Sequence, residues 1–184
     1  AELSEQRDFL HDKHIRTIYF GGGTPSLLAP CEIERFIEQA REQFDCSALE
    51  EITIEVNPDD ISEEYVDALR KTSVNRISMG VQSLDDATLR FMGRRHSAEQ
   101  AVEAVRRCQR MGLTNISIDL IYGMPGESLE QWDYSLGQAV ALGVPHISAY
   151  HLTYEEGTRL WNMRERGEVV AVDEEQSVQA FELL

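Results

Sequence analysis

The sequence predicts an α/β fold in which a parallel sheet forms a closed or nearly closed barrel. Short apolar runs with alternating polarity recur along the chain, and amphipathic segments of helical length separate them. This alternation is typical of βα units, whose strands pair in parallel. Because no linker, repeat or low-complexity segment divides the 184 residues, we predict one domain over residues 1–184.

Each element has its own local signal. The predicted strands are residues 15–20, 52–56, 75–82, 115–122 and 146–153. The first helix, residues 2–13, resembles the tail of a longer helix, and Pro30 is expected to open the next one because its missing N–H costs nothing there. The remaining predicted helices are residues 62–71, 85–92, 97–111 and 128–142, one containing Trp161 and one capped at Asp173.

Composition excludes several classes of function. Acidic residues outnumber basic ones by 33 to 17, and the resulting net charge of −16 argues against nucleic acid as a partner. Neither Lys13 nor Lys71 lies at a predicted strand end, which argues against Schiff-base chemistry. No apolar run approaches the roughly 18 residues of an integral membrane segment, so we expect a cytoplasmic protein.

The three cysteines are too far apart for the usual cysteine frameworks. Cys31, Cys46 and Cys108 form no C-x-x-C pair and match no zinc or disulfide pattern. His146 and His151 are five residues apart in a predicted strand, so they are expected on opposite faces and not as paired metal ligands. The residues therefore predict no metal site in this chain.

A glycine-rich turn follows the first predicted strand. Residues 21–25 read GGGTP, and three glycines allow a ligand to approach the backbone closely. Free N–H groups in such a turn suit a carboxylate or phosphate, although a flexible turn is an equally simple interpretation.

Strand parity brings three polar residues to the same edge of the sheet. If the apolar positions of residues 52–56, 75–82 and 115–122 pack on the helices, then Glu55, Gln82 and Asp119 point into the barrel. All three lie late in their strands, near the carboxyl edge where ligands bind in such folds. Arg94, Arg95 and His96 form either a solvated basic cluster or a grip for carboxylates near this edge. We predict a site for a polar ligand.

Several long motifs, in order, resemble one radical S-adenosylmethionine (SAM) family. They are YFGGGTPSLL (19–28), EITIEVNP (51–58), NRISMGVQSL (75–84), FMGRRH (91–96) and DLIYGMPGES (119–128). The family is that of the oxygen-independent coproporphyrinogen III oxidases and their relatives. The stretch SAYHLTYEEGT (148–158) is similar to its heme-chaperone-like branch.

The resemblance implies a partial (β/α)6 barrel that holds SAM and a [4Fe-4S] cluster. By position, Gly22, Gly23 and Thr24 match the segment that contacts the methionine moiety of SAM. The other matched SAM contacts are Glu55, Gln82, Arg94, Asp119 and Thr153, with Gln82 and Asp119 on the ribose hydroxyls and Arg94 on a carboxylate. Ile121 is expected to pack near the adenosine.

One departure from the family pattern concerns the cluster. The family binds iron through a C-x-x-x-C-x-x-C loop after its first strand, and this sequence contains no such loop. The resemblance therefore implies a core fragment, truncated before the second barrel strand, with the cluster cysteines upstream of Ala1 and a C-terminal domain also absent.

Two functions follow from the resemblance. The chaperone branch implies a protein that binds heme and passes it to an acceptor protein, and this is the favoured expectation. The alternative is a coproporphyrinogen III dehydrogenase that decarboxylates substrate propionates in heme biosynthesis, with a porphyrinogen as substrate. Whether the protein is an enzyme stays open at this point.

Overall fold

Five parallel strands form the centre of the computed structural model, which describes residues 2–5, 9 and 14–184. The strands pair in sequence order, each hydrogen-bonded to the next. They are β1 (Thr17–Phe20), β2 (Glu51–Val56), β3 (Arg76–Gln82), β4 (Ile116–Tyr122) and β5 (His146–His151). Because parallel neighbours need a crossover, a helix or a pair of helices separates most consecutive strands.

The helices follow the predicted order with ends that differ by a few residues. They are α1 (Glu2–Glu5), α2 (Pro30–Gln43), α3 (Glu63–Leu69), α4 (Asp86–Phe91), α5 (Ala98–Arg110), α6 (Leu129–Ala141), α7 (Arg159–Glu165) and α8 (Glu174–Glu182). The predicted first helix extends over residues 6–8 and 10–13, which lie outside the described residues. The α/β fold class and the parallel sheet expected from the sequence are confirmed.

Side-chain caps fix the start of most of these helices. The hydroxyls of Ser97 and Ser128 each accept a hydrogen bond from the backbone N–H three residues later, at 3.2 Å. The side-chain oxygens of Gln100 and Gln131 in turn accept a hydrogen bond from the N–H of the capping serine, which completes a capping box at each helix. These caps set where each helix begins and therefore how long each strand-to-helix loop is.

The helix-facing side of the sheet is the core. Alternate residues of β2, β3 and β4 are almost fully buried: Ile52, Ile54, Val56, Ile77, Met79, Val81, Ile116, Ile118 and Leu120. The predicted parity is therefore confirmed for these strands. On α2, helical spacing places Phe36 close to the buried face formed by Ile33 and Ile37. Both isoleucines are fully buried, whereas Phe36 is 51% exposed.

The C-terminal helix closes the far side of the sheet. The Trp132 indole on α6 donates to the Ala180 carbonyl on α8 at 3.0 Å and stacks on Tyr122 at the end of β4. Among the described residues, no helix combines the length and hydropathy that a membrane-spanning segment requires.

Candidate functional site

A polar cavity of about 260 Å³ lies at the carboxyl edge of β1–β4. Its volume is close to the lower end of small-molecule sites, roughly 300–1,000 Å³. The turn after β1, the ends of β2 and β3 and the loop after α4 contribute its walls. The lining residues are Gly23, Thr24, Pro25, Ser26, Glu55, Val56, Asn57, Ser78, Gly80, Gln82, Arg94 and Asp119.

The glycine turn forms one wall and is tied to β2 through Glu55. The Gly22 N–H donates to one Glu55 oxygen at 3.1 Å, and the Tyr19 hydroxyl donates to the other at 2.8 Å. Gly22 and Gly23 both have positive φ, and a Cβ at either would meet only open space. Glycine is therefore required here for its backbone conformation, which leaves the turn open toward the cavity.

Asp119 forms the floor of the cavity on β4. The Ser78 hydroxyl lies 3.3 and 3.5 Å from its two carboxylate oxygens, which are long distances for a hydrogen bond. Burial raises the pKa of Asp119 above its usual value, against the opposing effect of hydrogen bonds from Ser78 and Ser148. A carboxylate held in this way still has acceptor capacity for hydroxyl or N–H groups of a ligand.

Arg94 is the basic residue of the cavity lining. Its Nη2 donates to the Asn57 side-chain oxygen at 2.8 Å and to the Gly80 carbonyl at 3.1 Å. A Cβ at Gly80 would lie 2.9 Å from Gln82 Nε2 and 3.3 Å from Arg94 Nη2. The absent side chain at Gly80 therefore leaves room for both of these groups beside the cavity.

Gln82 reaches the cavity through an irregularity in β3. The register with β4 shifts between Met79 and Gln82, and Gln82 has φ of 67°. Among the described residues it is the one non-glycine residue with positive φ. A bulge of this kind re-aims a side chain, which here lies against the cavity.

Most of the predicted site residues come together. Gly23, Thr24, Glu55, Gln82, Arg94 and Asp119 all line the cavity. Gly22 lies beside them and bonds to Glu55. Thr153 lies two residues beyond β5, is exposed and is outside the described lining, so its predicted contact stays a prediction.

The sequence reasoning did not assign four polar or small residues of the lining. They are Ser26, Asn57, Ser78 and Gly80. Ser78 and Gly80 share the parity of Gln82, and Asn57 shares that of Glu55, so the same alternation argument could have found these three. Ser26 follows the glycine turn in a short 3-10 helix, and no strand parity signals it.

The basic run after α4 is not a uniformly solvated cluster. Arg95 pairs with the carboxylates of Asp59 and Asp60, at 2.5 and 3.5 Å. The His96 side chain is fully buried, which corrects the expectation of a solvated group. His151 is the last residue of β5, with its ring edge against Tyr122 and its Nε2 3.1 Å from the Ser177 hydroxyl.

A larger groove of about 680 Å³ lies between α5 and residues 58–62, which follow β2. Its walls carry charges of both signs, with Glu99 and Glu103 beside Arg106 and Arg107. Since acidic and basic side chains lie together along its walls, the groove does not present a cluster of one charge that would bind a charged ligand. The smaller cavity at the carboxyl edge is the better candidate site.

The described residues contain no group of three or more His, Cys, Asp or Glu side chains that could hold a metal ion. Cys31 is exposed, Cys46 is half-buried and Cys108 is buried. Burial raises the pKa of the Cys108 thiol to about 11, which disfavours the thiolate that iron requires. These cysteines do not fit an iron–sulfur cluster.

The family model for the radical SAM superfamily matches residues 1–138. The chain belongs to this superfamily. Membership implies SAM and a [4Fe-4S] cluster as the cofactors of the radical SAM fold. The cavity residues fit SAM, since an open glycine turn, acceptor carboxylates and a guanidinium surround one space, whereas the cluster has no matching ligands among the described residues.

The curated relatives include bacterial heme chaperones. The chain is 37% identical to the heme chaperone HemW of Lactococcus lactis over 182 residues, which cover 99% of this chain and 48% of that protein. It is 35% identical to Escherichia coli HemW, over 85% of this chain and 42% of that protein. The chain spans about half the length of the curated relatives it matches.

Solved structures agree with this placement. The coproporphyrinogen III oxidase HemN of Escherichia coli, a radical SAM enzyme, superposes with a TM-score of 0.76 at 25% identity. The match covers 96% of this chain and 42% of HemN. An archaeal Elp3 from Methanocaldococcus infernus has a TM-score of 0.78 at 24% identity and shows the fold alone. The predicted resemblance to the coproporphyrinogen oxidase family and its chaperone branch is confirmed.

Proposed function

We propose that the cavity at the carboxyl edge binds SAM. The observation that carries this proposal is the charge pattern of one small cavity, which the carboxylates of Glu55 and Asp119 and the guanidinium of Arg94 line together. SAM carries an ammonium, a sulfonium, a carboxylate and a ribose diol, so it offers complementary groups to both signs of charge. Charged hydrogen bonds of this kind are stronger than neutral ones.

Each part of the ligand has a suitable partner. The glycine turn and Glu55 suit the methionine end, because Glu55 already accepts an N–H in the free protein and can accept an ammonium. Asp119 and Gln82 suit the ribose hydroxyls. Arg94 suits the carboxylate. Thr153 is proposed as a further SAM contact, and Ile121 is proposed to pack near the adenosine.

The bound cofactors would supply one-electron chemistry, which protein side chains alone do not provide. This chain's own residues bind and orient SAM and neutralise its charges. The cluster ligands are proposed to lie upstream of Ala1, in the cysteine loop implied by the family. We therefore expect this chain, incubated anaerobically with iron, sulfide and thiol, to show no [4Fe-4S] absorbance.

For the full-length protein we propose heme chaperone activity, in which heme is bound and passed to an acceptor protein. The similarity to two HemW proteins over most of this chain supports the proposal. A cytoplasmic location is proposed with it. The alternative function is SAM-dependent decarboxylation of coproporphyrinogen III, and the structural likeness to HemN favours it.

One assay separates these two functions. Full-length protein, with its cluster reconstituted anaerobically, is incubated with coproporphyrinogen III, SAM and a reductant, and a reaction without SAM is the control. We expect no protoporphyrinogen, and a parallel titration with heme should give a saturable Soret change. SAM-dependent formation of protoporphyrinogen would contradict the chaperone proposal and support the alternative.

A further inference from the structure

The bulge at the end of β3 is held from outside the cavity by a buried histidine. Residues Gly80 and Val81 occupy the irregular stretch in which β3 loses register with β4. The Val81 carbonyl accepts a hydrogen bond from His96 Nε2 at 3.0 Å. The next residue is Gln82, whose positive φ turns its side chain to the cavity.

The hydrogen bond fixes the protonation of the imidazole. Because a carbonyl can only accept, Nε2 must carry the proton. Burial lowers the pKa of His96, which favours the neutral ring with a lone pair on Nδ1. Nδ1 has no hydrogen-bond partner within the described chain, and Asp59 Oδ1 lies 3.7 Å from it.

The same region also contacts the glycine-turn side of the cavity. Arg95 bonds to Asp59 and Asp60, and Asp60 accepts a hydrogen bond of 2.6 Å from the Ser26 hydroxyl. Ser26 lines the cavity on the side of the glycine turn. The loop that carries His96 therefore contributes Arg94 to the cavity lining and is tied through Arg95 to the glycine-turn side, whereas His96 itself is outside the lining.

We propose that His96 is a positioning residue for the ligand site, which acts by donating to the Val81 carbonyl and holding the bulge that presents Gln82. The inference rests on the proposed SAM site. Without the Nε2–H donor, the Val81 carbonyl keeps only its hydrogen bond from the Ser83 N–H, at 2.9 Å, and the left-handed conformation at Gln82 loses its tie to the loop that carries His96. Gln82 then relaxes away from the cavity.

Two substitutions separate the two nitrogens of the ring. His96→Gln places an amide N–H near the Nε2 position and should keep the bond to Val81. His96→Asn places its amide near the Nδ1 position and should lose that bond. Val105→Ala is the control, because Val105 is fully buried in α5 and its truncation destabilises the fold while leaving both partners of the His96–Val81 hydrogen bond in place.

The first readout is independent of SAM. In the ¹H–¹⁵N spectrum of the unliganded chain, we expect His96→Asn to move the Gln82 side-chain and backbone amide signals, while His96→Gln and Val105→Ala leave them near their wild-type positions. The second readout is SAM affinity by calorimetry. We expect His96→Asn to lower it about tenfold, the size of one lost hydrogen bond, and His96→Gln to stay within about twofold.

The outcomes are distinguishable. Unmoved Gln82 signals in His96→Asn would overturn the positioning role, and so would equal movement of those signals in Val105→Ala. If the wild-type chain binds no SAM but His96→Asn alone moves the Gln82 signals, the proposed SAM site fails and the positioning role stands.

Discussion

The two faces of the same sheet perform different tasks. On β4 the helix-facing residues Ile118 and Leu120 are fully buried among apolar side chains, and Asp119 between them faces a polar cavity. The helix-facing side stabilises the folded state because its apolar side chains are removed from water. The cavity-facing side carries charges whose desolvation opposes folding. Alternation along one strand therefore lets neighbouring residues serve stability and binding separately.

The largest expected effect is on the helix-facing side. Ile118→Ala should lower the free energy of unfolding by about 2–5 kcal/mol, because it leaves a cavity among fully buried side chains. Urea denaturation followed by circular dichroism measures this. SAM affinity should be unchanged when it is measured under conditions in which the variant is folded. A loss of SAM affinity as well would contradict the claim that the two faces of the sheet serve stability and binding separately.

A substitution on the cavity-facing side of β4 should affect SAM binding more than stability. Asp119→Ala should weaken SAM binding by about 1–3 kcal/mol through loss of its hydrogen bonds. Isothermal titration calorimetry measures this. If the substitution instead lowered the free energy of unfolding strongly and left SAM affinity unchanged, Asp119 would be a structural residue and not a ligand contact.

The raised pKa of Asp119 also predicts a pH dependence. Burial favours its neutral form in the folded state, so this residue's contribution to stability is greatest at low pH and is lost as the pH rises above the usual carboxyl value of 3.8. Asp119→Asn should therefore raise the free energy of unfolding at neutral pH and flatten that part of the pH profile. A variant less stable than the wild type at neutral pH would contradict this.

A smaller effect is expected at Gly80. The Cβ of Gly80→Ala would displace the ends of the Gln82 and Arg94 side chains, so SAM affinity should fall by about 1 kcal/mol with little change in stability. Gly137→Ala is the control, since a Cβ there meets open space on α6. The control should keep SAM affinity and gain about 0.5–1 kcal/mol of stability.

The smallest effect is expected at Tyr19. Tyr19→Phe removes the hydroxyl that donates to Glu55, but the side chain is 55% exposed, so SAM affinity should change by less than about 1 kcal/mol. Calorimetry at the same pH as for Asp119→Ala makes the comparison direct. An effect as large as that of Asp119→Ala would place Tyr19 among the principal ligand contacts.

The sequence alone predicts the structure correctly where the alternation of apolar and polar residues along a strand determines it. Parity on β2, β3 and β4 predicted which residues are buried, and it brought Glu55 and Asp119 to one edge. It was insufficient on β5, because none of its six residues is fully buried and no alternation marks a face. Helical spacing also does not reveal the exposure of Phe36, because burial at the edge of an apolar helix face depends on what packs beside it.

Long-range contacts explain the other differences. The burial of His96 depends on Val81, fifteen residues away, and on Asp59 from another loop, which no local pattern reveals. Likewise, the bulge before Gln82 depends on the pairing of two strands. Simple parity assigned Gln82 to the cavity, but it could not predict the positive φ that brings it there.

The most direct test of the SAM site is a ¹H–¹⁵N titration of the isotopically labelled chain with SAM, with S-adenosylhomocysteine as a comparison. We predict saturable shifts confined to the carboxyl edge, in the amides of Gly23, Thr24, Gln82 and Asp119, with weaker binding of the uncharged thioether. No saturable shift, or shifts centred on the groove between residues 58–62 and α5, would contradict the assignment.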